Sequence, residues 1–441
     1  MSAADPLTDT ALWAPWAWVD GRWRQQVLLP IQPDGRWGAI ASGVVQPPEG
    51  TRVLHGALVP SLVNAHSHAF QRAMAGLTEV REHAGEDDFW SWREAMYGTA
   101  LALSPDSLRR VATQLYGELL RGGYTQVVEF HYLHHAPDGQ PYEDELAMAW
   151  ALADAAEAVG IGLTVLPTLY AHQGFDQPGL RPEQRRFAAG ADWVWRAQQR
   201  LQASGRPLLR AGVALHSLRA AHPEDLRAVL SLADHAECPI HIHVAEQLRE
   251  VDDCLRTHGQ RPLEWLCAHG MLDARWQLVH ATHALPHEID AVAACCAGVV
   301  LCPSTEANLG DGFTDVPGWL DAGVPLSVGS DSQVSREWRE ELRWLEYGQR
   351  LRHRRRNVCA APGVQPSTGA RLLEAMRAGS GPAAGYATWG LRSGARADAL
   401  MVDLATADLD SVPMAHWWDA LVFASAGPLW SAVWVAGRQR L

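Results

Sequence analysis

The segment "LVNAHSHAFQRAMAGL" (62–77) sets His66 and His68 two residues apart at the end of an apolar run. In an extended strand, residues i and i+2 share a face and lie roughly 6.5 to 7 Å apart. Two imidazoles so placed can close on one divalent cation through bonds of about 2.0–2.1 Å. Later apolar runs repeat the theme. "PIHIHVAEQ" brings His243 with Glu246 three residues on, "LVHATH" supplies His280, and "LSVGSDS" supplies Asp331. A divalent ion in such a nest lowers the pKa of bound water to about 7 and makes a nucleophile at neutral pH. A lone His-x-His pair is ordinarily just two satisfied polar residues; the recurrence argues for a site.

These residues are far apart in the chain, so the fold must gather strand ends at one mouth. β-like runs fall near 58–66, 124–131, 161–169, 209–216, 239–245, 276–282, 298–303 and 324–330. Amphipathic stretches such as "SPDSLRRVATQLYGELLRGG" and "HPEDLRAVLSLADHAE" separate them. Eight β-α units are the tally of a closed parallel barrel, whose strand C-termini surround a single opening. The ends of the chain differ in character: short apolar segments broken by "DGRW", "QPDGRWG" and "QPPEG" precede residue 58, and "GARADALMVDL" and "SAVWVAGRQRL" close the sequence. The expected fold class is therefore α/β. Residues 59–385 form a (β/α)8 barrel, and residues 1–58 and 386–441 together build a small β domain of sandwich type.

The stretch "EVREHAGEDDFWSWREAMYGTA" after the first strand is longer than a usual βα loop and carries Arg81, Trp90, Trp92 and Arg93. Long loops at a barrel's C-terminal face commonly cover the site, which makes it a lid candidate beside the simpler reading of a solvated connection. The basic run at 351–357 reads as a solvated helix end, because no aromatic residues interleave it.

Composition narrows the class. The 441 residues are 47% hydrophobic and 20% charged, enough for a large core, and the formal net charge of −13 disfavours nucleic acid or an anionic membrane as partner. A small acidic ligand remains compatible, given a few local cations. All 37 basic residues are arginine. Schiff-base chemistry, P-loop phosphate binding and a carbamylated lysine between two metals are thereby excluded. Seven cysteines without C-x-x-C spacing read as reduced thiols. The acidic N-terminus and the shortness of the apolar runs predict a soluble, cytoplasmic protein.

The combination of His-x-His on strand 1, His on strands 5 and 6 and Asp on strand 8 resembles the metal-dependent amidohydrolase superfamily, over nearly the whole chain. The resemblance implies a distorted barrel with a split β domain. With no lysine to bridge two metals, and with His-x-x-Glu at strand 5, the mononuclear deaminase branch fits. That branch implies one metal, Zn²⁺ with Fe²⁺ as the alternative, held by His66, His68, His243 and Asp331, with His280 beside the bound water. His241 shares the side of His243 and is a ligand candidate by spacing alone; the family pattern favours His243. His131, His134, His135, His283 and His287 have no matching role and read as surface or rim histidines.

Asp331 and His280 are placed to take a proton from the water, and Glu246 is the candidate shuttle that protonates the leaving nitrogen; its alternative is an orienter of His243. The motifs "HSHAFQRAMAGL", "DDFWSWRE", "LHSLRA" and "LCPSTEANLGDG" resemble more closely the formimidoylglutamate deiminase family. That family converts N-formimidoyl-L-glutamate and water to N-formyl-L-glutamate and ammonia in histidine degradation, and its members are typically homodimers. Carried over, Gln71 contacts the formimino end, Arg93 binds one carboxylate, and His216, Arg219 and Tyr132 hold the other. Arg81 and Arg72 compete with Arg93, Arg219 has a reading as a helix-start surface residue, and Tyr132 lies in "HYLHH", where the register could slip by one. Ser304, Glu306 and Asn308 are expected to shape the pocket floor without catalysis, with Gly310 and Gly312 in turns. A mononuclear aminohydrolase of a purine, pterin or triazine ring is the alternative function; a scaffold protein on a dead barrel would have shed some of these ligands.

Overall fold

Eight parallel strands close into a barrel in a computed structural model that describes residues 9–81, 87–405, 409, 411–427 and 429–441. Barrel strands 1 to 3 are Leu62–Ser67, Tyr124–His131 and Gly162–Leu169; strand 4 is split into Leu209–Ala211 and Val213–Leu215. Strands 5 to 8 are Ile240–Val244, Trp276–His280, Gly298–Leu301 and Leu326–Val328. Strand 8 pairs with strand 1 through Val328 and Asn64, which completes the ring. Apart from Arg210 in strand 4, these runs are buried along their whole length because side chains fill the barrel on one face and helices cover the other. The split in strand 4 falls at Gly212, where a Cβ would lie 2.6 Å from the Pro239 carbonyl oxygen.

The expected first strand, 58–66, is two strands. Pro60 has no N–H to give a ladder, so pairing stops there. Before it, Ala57–Val59 pairs antiparallel with Ala399–Val402 and parallel with Ala11–Val19, in the sheet made by the two ends of the chain. After it, Leu62–Ser67 enters the barrel. The terminal sheet is mixed and seven-stranded, in the order Arg438–Gln439, Trp430–Val435, Ala399–Val402, Ala57–Val59, Ala11–Val19, Arg22–Pro30, with Arg52–Val53 also on Ala11–Val19. It has its own core around Leu12, Val27, Trp37, Leu58 and Trp434. Buried Arg396 joins the two units: it donates to Gln126 Oε1 (2.6 Å) and the Thr125 carbonyl (2.9 Å) of strand 2 while its own Asp398 neutralises it at 2.6 Å.

The helix Phe89–Ala102 follows strand 1 and stands over the barrel mouth. The Asp88 carboxylate starts it by accepting from the Trp90 (2.9 Å) and Ser91 (3.2 Å) amides, two donors that would otherwise have no partner in the first turn. Residues 82–86 of the expected lid lie outside the described residues. The basic run at 351–357 lies at and beyond the end of helix Trp338–His353, where Arg354 takes a left-handed conformation (φ 53°). All seven cysteines are free, and no helix among the described residues is long and apolar enough to cross a membrane.

Candidate active site

The strand ends converge. His66 Nε2 lies 3.0 Å from His243 Nε2 and 3.4 Å from Asp331 Oδ1, and His68 Nε2 is 3.5 Å from the same carboxylate oxygen. The ring orientations are fixed from behind. His68 Nδ1 donates to the Phe130 carbonyl and His243 Nδ1 to the His216 carbonyl, each at 2.9 Å, which leaves the Nε2 lone pairs facing inward. Burial holds the His66 imidazole down to about pKa 3 and lowers those of His68 and His243. Three neutral rings therefore meet. Burial alone would raise the pKa of Asp331, but its hydrogen bond to His66 and the surrounding imidazoles hold it well below the usual carboxylate range.

His280 faces the same centre from strand 6, with Nε2 3.6 Å from Glu246 Oε1 and 3.8 Å from Asp331 Oδ2. Burial disfavours its charge, yet Glu246, Cys302 and Glu306 raise its pKa well above the ordinary value. The Glu246 carboxyl is pushed up to about 7, by burial first and by Asp331 next, with His280 opposing. The backbone is strained where these side chains turn inward: His280 (φ 72°), Asp331 (φ 45°) and Ala245 (φ 50°), next to Glu246, are all left-handed. Asp331 is held by its own amide on the His66 carbonyl (3.0 Å). Glu246 is held by Glu250, whose carboxylate accepts from the Ala245 and Glu246 amides at 3.1 Å each.

A cavity opens above the cluster, and Gln71, Arg93, Tyr132, His216 and Arg219 all line it beside His68, His243, Glu246, His280 and Asp331. Gln71 Nε2 donates to the Tyr132 hydroxyl at 3.3 Å, which fixes position 132, not a neighbour, as the one facing the cavity. Arg72 is spent on Glu118 (2.9 and 3.1 Å), and Arg81 is exposed and outside the cavity lining, so Arg93 is the cation that strand 1's long loop contributes. Arg219 is 8% exposed, which removes its reading as a surface residue. The Nε atoms of Arg93 and Arg219 and the Oε1 of Gln71 are buried without hydrogen-bond partners among the described residues.

The amidohydrolase family model matches residues 57–439. The chain belongs to the amidohydrolase family. Among its relatives, formimidoylglutamate deiminase of Pseudomonas aeruginosa is 45% identical over 438 residues, which cover 97% of this chain and 94% of that protein. A crystal structure of an amidohydrolase from Brucella melitensis is 41% identical with a TM-score of 0.91, covering 97% of this chain and 94% of the other. An adenosine deaminase from Xanthomonas campestris with bound zinc shares the fold at 23% identity, with a TM-score of 0.80 and coverage of 98% and 93%.

The donor set of this amidohydrolase fits a single divalent ion. Two ligands on one ion at bonds of about 2.1 Å stand roughly 3.0 to 3.4 Å apart. His66 lies 3.0 Å from His243 and 3.4 Å from Asp331, and His68 3.5 Å from Asp331, while the donor atoms fall into two groups that share His66, one with His68 and Asp331 and one with His243 and His280. A cation seated between the two Nε2 atoms of His66 and His243, 3.0 Å apart, would bring the lone pairs of both imidazoles to one centre. His241, the other candidate on strand 5, is turned away and bonds the Ala383 carbonyl through Nε2 at 2.9 Å.

Other residues depart from the sequence reading. His131 and His134 are buried, not surface histidines, whereas His287 is an exposed partner of Glu264. Ser304 gives both its amide (3.0 Å) and its hydroxyl (2.7 Å) to buried Glu341, and Asn308 bonds Glu79, so neither lines the cavity; from that stretch only Leu309 does. Glu306 lies closer to the chemistry, with Oε1 3.4 Å from His280 Nδ1. Gly310 does turn the chain, ending helix Pro303–Leu309 at φ 73°. Glu250 was missed altogether. Its only sequence signal is its place one helical turn after Glu246.

Proposed function

We propose that this amidohydrolase hydrolyses N-formimidoyl-L-glutamate to N-formyl-L-glutamate and ammonia. The carrying observation is the composition of one cavity: a cluster of His and Asp donors at its base and, in its wall, two guanidiniums, Arg93 and Arg219, whose Nε atoms are buried without a hydrogen-bond partner among the described residues. A ligand with two carboxylates and a hydrolysable amidine matches both. The relative of that name at 45% identity supports the same reading. In the alternative, an aminohydrolase of a purine, pterin or triazine ring, the ligand would bring no carboxylate for the two arginines of the wall.

In this reading His66, His68, His243 and Asp331 hold one divalent metal, Zn²⁺ in first place and Fe²⁺ in second. When bound, such an ion activates water as a nucleophile near neutral pH. Arg93 takes one carboxylate; Arg219, His216 and Tyr132 take the other; Gln71 orients the formimino end. Water supplies one oxygen and two protons. The oxygen adds to the amidine carbon, and both protons pass to the imino nitrogen, which leaves as ammonia. Glu246 is the carrier, because a carboxyl pushed up to about 7 both accepts and donates near neutrality. Asp331 is the other nearby proton acceptor. His280, with its charged form favoured, donates toward the oxygen as it gains charge, and so is a donor here where the sequence reading made it an acceptor of the water's proton.

The test is incubation of metal-replete protein with N-formimidoyl-L-glutamate and measurement of ammonia and the formylated product. Equal yields support the reading; no turnover, or equal turnover of a neutral aminated heterocycle, refutes it. A cytoplasmic location and a homodimer, without nucleic acid or membrane partners, go with the proposal and are read by fractionation and by solution mass.

A further inference from the structure

Resting on that reading, we infer that Trp90 is a positioning residue that aims the two carboxylate-binding arginines, with Arg249 as the outer member of the same stack. Three guanidinium carbons lie over one indole: Arg93 at 4.6 Å, Arg219 at 5.5 Å and Arg249 at 4.5 Å from the ring centroid. Trp90 itself does not line the cavity, so it acts through its neighbours.

The need for such a residue follows from what Arg93 and Arg219 lack. Long side chains lose much rotamer entropy when fixed, and buried arginines are normally held by hydrogen bonds to carboxylates or carbonyls. Buried Arg186 shows the ordinary solution, bonding the His135 carbonyl at 2.7 Å and the Tyr142 hydroxyl at 3.2 Å. Among the described residues, no hydrogen bond reaches the guanidinium of Arg93 or Arg219, and the only carboxylate near Arg93 is Glu94 at 3.9 Å. An aromatic face attracts a guanidinium without using its N–H groups. The donors are left free for a ligand while the planes stay aimed.

The stack also ties three elements of the mouth. Trp90 and Arg93 sit on helix Phe89–Ala102, Arg219 follows strand 4, and Arg249 opens helix Leu248–His258 beside Glu250, which anchors the Glu246 backbone. Three like charges on one ring repel, and an incoming dianion relieves that repulsion. Arg249 is exposed and sits outside the cavity lining, so it contributes to holding the indole and to the field at the entrance without touching ligand.

The experiment compares wild type, Trp90→Leu, Trp90→Phe, Arg219→Met and the Trp90→Leu/Arg219→Met double variant, all with metal bound and folded by circular dichroism. The readouts are KM, kcat and the Kd for N-formyl-L-glutamate by calorimetry, the last independent of turnover. Trp90→Leu is expected to raise KM and Kd about ten-fold, equivalent to roughly 1.4 kcal/mol, with kcat changed less than about three-fold. Trp90→Phe, which keeps an aromatic face, restores most of the loss. The double variant binds little worse than Arg219→Met alone, because a clamp without its arginine has nothing to aim. Unshifted KM and Kd in Trp90→Leu, no rescue by Phe, or multiplying losses in the double variant overturn the clamp. Failure of wild type to turn over N-formimidoyl-L-glutamate while it binds the dicarboxylate overturns the proposed reaction instead; failure to bind the dicarboxylate overturns both.

Discussion

His66 and Asp331 are joined twice: the Asp331 amide donates to the His66 carbonyl at 3.0 Å, and His66 Nε2 stands 3.4 Å from Asp331 Oδ1. The backbone bond closes the barrel between strands 8 and 1, and the side-chain approach forms one edge of the proposed metal site. Ring closure and metal geometry are thus one constraint.

Gly329 is where that constraint is most exposed to mutation. A Cβ there would lie 2.7 Å from His66 Cβ and 2.8 Å from its amide nitrogen and carbonyl oxygen, all of which are fixed. Gly329→Ala must push strand 8 away from strand 1 and carry Asp331 with it. Displacement of a reacting group by about 1 Å costs on the order of 100-fold in rate. We expect kcat/KM to fall by at least that much, with metal per subunit, read by elemental analysis, well below wild type. Full metal occupancy in this variant would contradict the proposed ligand set.

Glu246→Gln separates binding from proton transfer. The amide keeps the shape and the backbone support from Glu250 but carries no exchangeable carboxyl proton. Metal content and the Kd for N-formyl-L-glutamate should stay near wild type while kcat falls about 10²- to 10⁴-fold. A variant within three-fold of wild-type kcat would leave the proton shuttle without support.

Glu306 acts through His280. Its carboxylate accepts from the Cys302 amide at 3.0 Å and faces His280 Nδ1 at 3.4 Å, so it fixes the ring and favours its charged form. Loss of such a supporting partner typically costs about 10- to 100-fold. Glu306→Ala should show that loss in kcat with metal retained, and steady-state kinetics beside elemental analysis will distinguish it from simple loss of the site.

The cluster was legible because its residue types and spacing carry the information. His66, His68, His243, His280 and Asp331 each end an apolar run, and the eight runs count out a barrel. Glu306, Glu250 and Trp90 were not legible as positioning residues, because their roles depend on which remote atom packs against them. Glu306 means nothing until strand 6 brings His280 beside it, and Trp90 reads as a rim tryptophan until three arginines are seen on its face. The boundary error at strand 1 has a different cause: 58–66 reads as one largely apolar run, and the missing N–H of Pro60 divides it between two sheets.

Glu341 offers a test by pH that does not involve the metal. It is buried behind Ser304, and burial raises its pKa to about 8 from an ordinary 4.5, even though the Ser304 hydroxyl and amide favour its charged form. A raised folded-state pKa means that the native protein holds this proton more tightly than the unfolded chain does. Its contribution to stability is therefore full below pH 4.5 and is lost as pH rises toward 8. Glutamine mimics the protonated acid, with an oxygen for the Ser304 amide and an N–H for its hydroxyl. Glu341→Gln should thus gain stability relative to wild type as pH increases from 5 to 8, on the order of a few kcal/mol at the upper end. Chemical denaturation of both proteins across that range reads the difference directly, and a gap that is flat or narrows with pH would show that Glu341 is charged in the folded protein.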